Sequence, residues 1–247
     1  IHSGDWSSDV CSSDLLNQGT FRLDNFSHLD DPSVYAVVKD QEGSLISKKP
    51  VTPALFELPV YLAFRTVSDS WNNQKRKLMG KVTMSIFAAA ASSVLFLILL
   101  DTVPFWLAIG GGFLLTIGTP FWFTAMDCWP HPLLAFLNIT SLLLISKISG
   151  WRIATAGFLQ GVAFTVRPGA VVVLLVFLVA IFLAGRHSYK SCWKTVGLYL
   201  LGLAGPLLLL GIYNVMYFGN PFVTGFGDQV EGRIRWPFWG AAGFLFS

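Results

Sequence analysis

Residues 151–185 read WRIATAGFLQGVAFTVRPGAVVVLLVFLVAIFLAG, an apolar run interrupted by one Arg-Pro-Gly. Each half is close to the length that crosses a bilayer core, about 20 residues at about 1.5 Å each. Pro168 and Gly169 break a helix, so the run predicts a helical hairpin with Arg167 at its tip. An arginine held in lipid costs at least about 2.5 kcal/mol. Arg167 is therefore expected to face headgroups, water or an anion. Two roles compete for it. One is an interfacial anchor that snorkels to the surface. The other is a binding group for the anionic part of a lipid-borne substrate.

The rest of the chain shares this character. It is 53% hydrophobic and 13% charged, against about 25% charged in average soluble domains. Between Val82 and Tyr217 the acidic and basic residues are confined to Asp101, Asp127, Lys147, Arg152, Arg167, Arg186, Lys190 and Lys194. The net charge of +3 is small, and no aromatics interleave with lysines as a nucleic-acid site would require. No nucleic-acid partner is expected. Cys11, Cys128 and Cys192 form no CxxC or Cys/His spacing, so no metal site is expected. No P-loop, GxSxG or HExxH is present, and no cofactor is implied.

Three regions follow from the pattern. Residues 4–15, GDWSSDVCSSDL, lack the basic start and apolar core of a signal peptide. They resemble one translated frame of a common sequencing adapter. Residues 1–15 are therefore expected to be an artefact of assembly joined to a gene fragment that starts near Leu16, with both native termini missing. Residues 16–81 form a large outer loop. Its first part, residues 16–47, is polar, with turn signals at Asp31-Pro32 and Glu42-Gly43, and predicts little regular structure. Residues 48–67 carry an apolar stretch of about 14 residues with Pro53 and Pro59, too short to span and suited to a helix lying in the interface.

Residues 82–247 are expected to be a transmembrane bundle of six to seven helices: 82–100, 105–121, 133–146, the two halves of the Arg167 hairpin, 195–217, and a start of a seventh at 236–246. The fold class is all-α, a polytopic membrane helical bundle. If the region before Val82 lies outside, Lys147, Arg152, Arg186, Lys190 and Lys194 lie inside, as the positive-inside rule prefers. The cluster Lys75, Arg76, Lys77 and Lys81 breaks that rule, so charge alone leaves the orientation open.

Counting spans puts Lys48, Lys49, Asp127, His131, Arg167 and the loop after Tyr213 on one face of the membrane. Cations that neutralise a phosphate, with a carboxylate as base, suit transfer from a lipid phosphate. Singly, Asp127 also reads as a helix cap, and His131 as an ordinary loop residue.

Four stretches carry a resemblance: LNQGTFRLDNF (16–26), SKKPVTPALFELPVYLAFR (47–65), FTAMDCWPHPLLAFL (123–137) and LQGVAFTVRPGAVVVLL (159–175), with the tail YNVMYFGNPFVTGFG (213–227). In order and spacing they resemble the GT-C glycosyltransferases of the family-39-like group, which includes protein O-mannosyltransferases and lipid A aminoarabinose transferases. Lys49-Pro50-Val51 stands where that group has Lys-Pro-Pro, and Arg167 where many members have lysine. The resemblance implies a polyprenyl-phosphate sugar as donor, with a glycan, lipid or protein acceptor. It implies Lys49 and Arg167 at the donor phosphate and Asp127 supporting the acceptor or the base; Lys48, His131 and Tyr213 are further substrate-binding candidates from their place on the same face. The group's main catalytic carboxylate would lie upstream of Leu16. Asp24 is the nearest acid left, and this fragment is expected to be inactive by itself. The location implied is the inner membrane of a bacterial cell envelope, with the active side periplasmic or extracellular. A transporter or flippase subunit with an anion site at Arg167 is the alternative. A scaffold without chemistry is the third.

Overall fold

The computed structural model describes residues 37–39, 43–47, 51–67, 73–126, 129–146, 149–185 and 189–222. Asp24, Lys48, Lys49, Asp127, Cys128, the adapter-like segment 1–15 and the seventh-span segment 236–246 lie outside the described residues.

Two short strands, β1 (Val37–Lys39) and β2 (Leu45–Ser47), pair antiparallel with Val37 opposite Ser47. Within the described part of residues 16–47 the regular structure is this short hairpin of two three-residue strands. Val37, Val38 and Ile46 are β-branched, and Gly43 supplies the left-handed turn conformation at φ 82°. Leu45 and Ile46 are buried.

All other described elements are helical. α1 (Thr52–Val67) has Pro53 in its first turn, where a missing N–H costs little. Ala54, Glu57 and Tyr61 face inward, while Leu55 and Leu62 stay exposed. α2 (Asn73–Leu100) begins well before the expected span and includes the cluster Lys75–Lys81. α3 (Phe105–Ile117) stops at Gly118, earlier than expected, because Pro120 follows; a separate short helix, α4 (Phe121–Met126), takes over. Thr119 Oγ1 accepts the Phe121 N–H at 3.2 Å at this restart. α5 (His131–Ser146), α6 (Gly150–Val166), a 3-10 turn (Pro168–Ala170), α7 (Val171–Gly185) and α8 (Tyr189–Phe218) complete the order.

Two helical stretches are long and apolar enough to cross a membrane, Leu78–Leu100 and Cys192–Phe218. The expected spans in α3, α5, α6 and α7 have 13 to 17 residues, a rise of about 20–26 Å against a bilayer core of about 30 Å. Large apolar side chains nonetheless stand outward along these helices; Trp106 is 78% exposed and Val172 63%. A water-soluble chain rarely leaves so continuous an apolar surface uncovered.

The closest packing joins α6 to α8. A Cβ on Gly157 would collide with the Tyr199 carbonyl, and one on Gly202 with the Ala154 carbonyl. Gly161 in turn sits against Leu203 and Pro206. Residue numbers rise together along both helices, so α6 and α8 run parallel. α7 returns against α8: Leu174 O faces the Tyr199 hydroxyl, and Phe182 O faces Cys192 Sγ. The hairpin expected of residues 151–185 is thus opened. Both arms lean on α8 more than on each other. Cys192 is a buried free thiol.

Two apolar clusters fill the two ends. At one, Met84, Ala88, Leu133, Leu137, Ala163, Val166 and Ala170 pack together beneath the Arg167 turn. At the other, Ile153, Ala156, Phe177, Ile181, Val196 and Tyr199 close the base of α6, α7 and α8. Phe56 of α1 sits edge-on to Phe87 of α2 with centroids 5.7 Å apart, fixing α1 to the first end.

Candidate functional site

Arg167 owes its place to its neighbour. A residue before proline is pushed out of the helical region, and Arg167 takes φ −154°, ψ 118°. Its N–H still closes α6 on Ala163 O at 3.0 Å, and its carbonyl accepts the Ala170 N–H at 2.9 Å. The side chain is exposed beyond the end of the helix.

His131 opens α5 between Pro130 and Pro132, and the Leu134 N–H bonds Pro130 O at 3.0 Å to form the first turn. Arg167 Nη1 lies 3.4 Å from both His131 Nδ1 and Nε2. The two ring nitrogens flank one carbon, so a donor equidistant from both lies along neither lone pair. At 3.4 Å this is longer than a good hydrogen bond; it is a long polar contact of one guanidinium nitrogen with the imidazole ring. Burial, and secondly the Arg167 charge, hold the imidazole pKa below the ordinary histidine value. The Trp129 ring lies nearly parallel to His131, 12° apart with centroids at 5.6 Å. The Trp129 N–H bonds Thr124 O at 3.0 Å, which closes the loop that contains position 127.

Two further elements reach this end. The Thr52 hydroxyl donates to Thr165 Oγ1 at 2.9 Å, tying the start of α1 to the residue two before Arg167. Thr165 itself donates to Val162 O at 2.7 Å. Lys48 and Lys49 precede Thr52 by four and three residues in the chain. Beyond the Gly161 crossing, Arg167 lies about 9 Å further along α6, and Tyr213 lies about 10–15 Å further along the parallel α8. The Tyr213 ring packs on Tyr217 at a tilt of 40°, centroids 4.7 Å apart. Asn214, buried beside it, donates to Pro221 O at 3.0 Å.

Of the residues singled out from the sequence, His131 and Arg167 are brought into contact, and Tyr213 is carried to the same end. Trp129 and Thr165 were not foreseen, although Trp-Pro-His-Pro and Thr-Val-Arg are both visible in the sequence. Glu57, a buried carboxylate on α1, was also missed; it is the one acid within that helix. A polar pair inside the bundle was missed too. Gln160 Nε2 donates to Asn138 Oδ1 at 3.0 Å midway along α6 and α5, and Gln160 Oε1 is buried without a partner. Among the described residues, no three His, Cys, Asp or Glu side chains gather as metal ligands.

Chemically, Arg167 spends one nitrogen on His131 and keeps further N–H donors of its fork for an anion. Comparison with family models, with curated proteins and with solved structures finds no match to the chain.

Proposed function

We propose that the chain is the membrane part of a GT-C-type glycosyltransferase that moves a sugar from a polyprenyl-phosphate donor to a glycan, lipid or protein acceptor. The observation that carries this reading is the meeting of Arg167 with His131 at the bundle end to which Thr52 ties the start of α1. That end supplies a cation beside exposed apolar helices, where a lipid phosphate would sit. The outward apolar surface supports a membrane protein; the inner membrane, with this end periplasmic or extracellular, is the location that goes with the proposed donor.

In the proposed reaction a carboxylate takes the proton of an acceptor hydroxyl. The hydroxyl oxygen attacks the anomeric carbon, and the bond from that carbon to the phosphate oxygen breaks. The electron pair leaves with the lipid phosphate, whose charge Arg167 and Lys49 stabilise. Asp127 supports the acceptor or the base, and Asp24 is the second candidate acid. The direct experiment is transfer from a synthetic polyprenyl-phosphate sugar by the native gene product in nanodiscs, with wild type compared to Arg167→Ala.

The second reading, a transporter or flippase subunit, draws support from Asn138 and Gln160, since transporters place polar groups near the bilayer midplane. It requires lipid or anion movement across sealed vesicles without covalent transfer, and loss of that movement in Gln160→Leu.

A further inference from the structure

The Arg167–His131 contact has a third member that the reaction above leaves unused. Trp129 lies parallel to His131 yet remains 53% exposed. Pro130 follows it, and its own backbone N–H is bonded to Thr124 O at 3.0 Å, which fixes the backbone at position 129. This flat apolar face and the Arg167 guanidinium both contact the same imidazole.

We propose that the open face of Trp129 is the platform on which the sugar ring of the lipid-linked donor stacks while Arg167 holds its phosphate. This rests on the glycosyl-transfer reading. A saturated sugar ring presents a face of C–H groups carrying slight positive charge, which suits the negative face of an indole. Its hydroxyl rim stays in water. The phosphate is attached directly to the ring's anomeric carbon, so the donor needs a flat apolar contact and a cation side by side. Trp129 and Arg167 both meet the His131 ring, the indole with centroids 5.6 Å apart and Arg167 Nη1 at 3.4 Å from both ring nitrogens, which brings an apolar face and a cation to one place. His131 then acts as a positioning residue, in contact with both platform and cation. Trp122, on α4, is equally exposed but has no place in this stack. It serves as an interfacial anchor, and as the internal control.

The test measures binding of three probes to the 247-residue chain in nanodiscs: a polyprenyl-phosphate hexose, a polyprenyl-phosphate pentose and the same polyprenyl phosphate without sugar. In Trp129→Ala, affinity for a sugar-bearing probe falls about 2- to 10-fold, while affinity for the sugarless phosphate holds. Trp129→Phe keeps most of the difference, and Trp122→Ala changes neither. Arg167→Ala weakens every probe. Equal losses for sugar-bearing and sugarless probes in Trp129→Ala, or identical behaviour of Trp129→Ala and Trp122→Ala, overturn the platform and leave the phosphate role of Arg167 standing. Wild type that binds none of the probes overturns the glycosyl-transfer reading and the platform together.

Discussion

Gly157 of α6 and Tyr199 of α8 are in backbone contact: the tyrosine's carbonyl oxygen fills the space where a side chain on the glycine would stand. Gly202 repeats the arrangement against the Ala154 carbonyl. Small residues four apart, Gly157 and Gly161, let the helices approach until packing and C–H···O contacts act along the crossing. This crossing sets the height of Arg167 relative to Tyr213.

Gly157→Ala is accordingly expected to destabilise the chain by about 1–3 kcal/mol, as overpacking does. Gly205→Ala, also within α8 but with nothing within 4 Å of its added Cβ, is expected to be neutral or to stabilise by up to about 1 kcal/mol through helix propensity. Equilibrium unfolding in mixed detergent micelles reads both. Equal effects would show that the crossing does not depend on the missing side chain.

Arg167→Ala is expected to cost about 2–4 kcal/mol of barrier in glycosyl transfer, or about 30- to 1000-fold in rate. Arg167→Lys keeps the charge and loses the fork, so it should retain part of the activity. Rates are normalised to folded protein. Full activity in Arg167→Ala would leave the residue an interfacial anchor.

His131 gives a pH-dependent signature. Its folded pKa is held down by burial first and by Arg167 second. Between that lowered value and the unfolded value of about 6.5, the unfolded chain binds the extra proton, so stability rises with pH. The contribution is complete above about pH 6.5 and is lost as pH falls through the folded value. NMR titration of the imidazole should place its midpoint below the ordinary histidine value, and Arg167→Gln should move it part of the way back. A midpoint that does not move in Arg167→Gln would deny the charge contact.

Sidedness is open to labelling. In a background with Cys11, Cys128 and Cys192 replaced by serine, Gly169→Cys at the exposed Arg167 turn is expected to react with an impermeant maleimide added to whole cells. Trp151→Cys, at the other end of α6, is not. The reverse pattern would mean that Lys75–Lys81 sets the orientation.

The break at Arg167 was legible because proline and glycine act locally: Pro168 alone dictates the extended backbone before it. The helices were legible from unbroken apolar runs, though Gly118-Thr119-Pro120 cut one expected span into α3 and α4. What composition could not convey was which helix lies beside which. Gly157 and Gly161 are plain in the sequence, but nothing local names α8 as their partner, so the pair 151–185 read as a closed hairpin. The contact of His131 with Arg167 follows from span counting, since both fall at one end. The Trp129 stack does not, because ring orientation depends on a loop held by Thr124. Glu57 and the Asn138–Gln160 pair were hidden for a related reason: a polar residue in an apolar helix reads the same whether it faces inward or outward.

The parallel α6–α8 crossing also imposes an order on biosynthesis. Gly157 leaves the ribosome well before Gly202, about 2–9 s earlier at about 5–20 residues per second. During that interval the bare backbone stripe of α6 has no mate, and α7 must turn back before one can arrive. A nascent chain paused short of Gly202 therefore holds its arginine tip on a helix that α5 supports and α8 does not yet reach. The crossing completes late, and the geometry around Arg167 is among the last features of the chain to be secured.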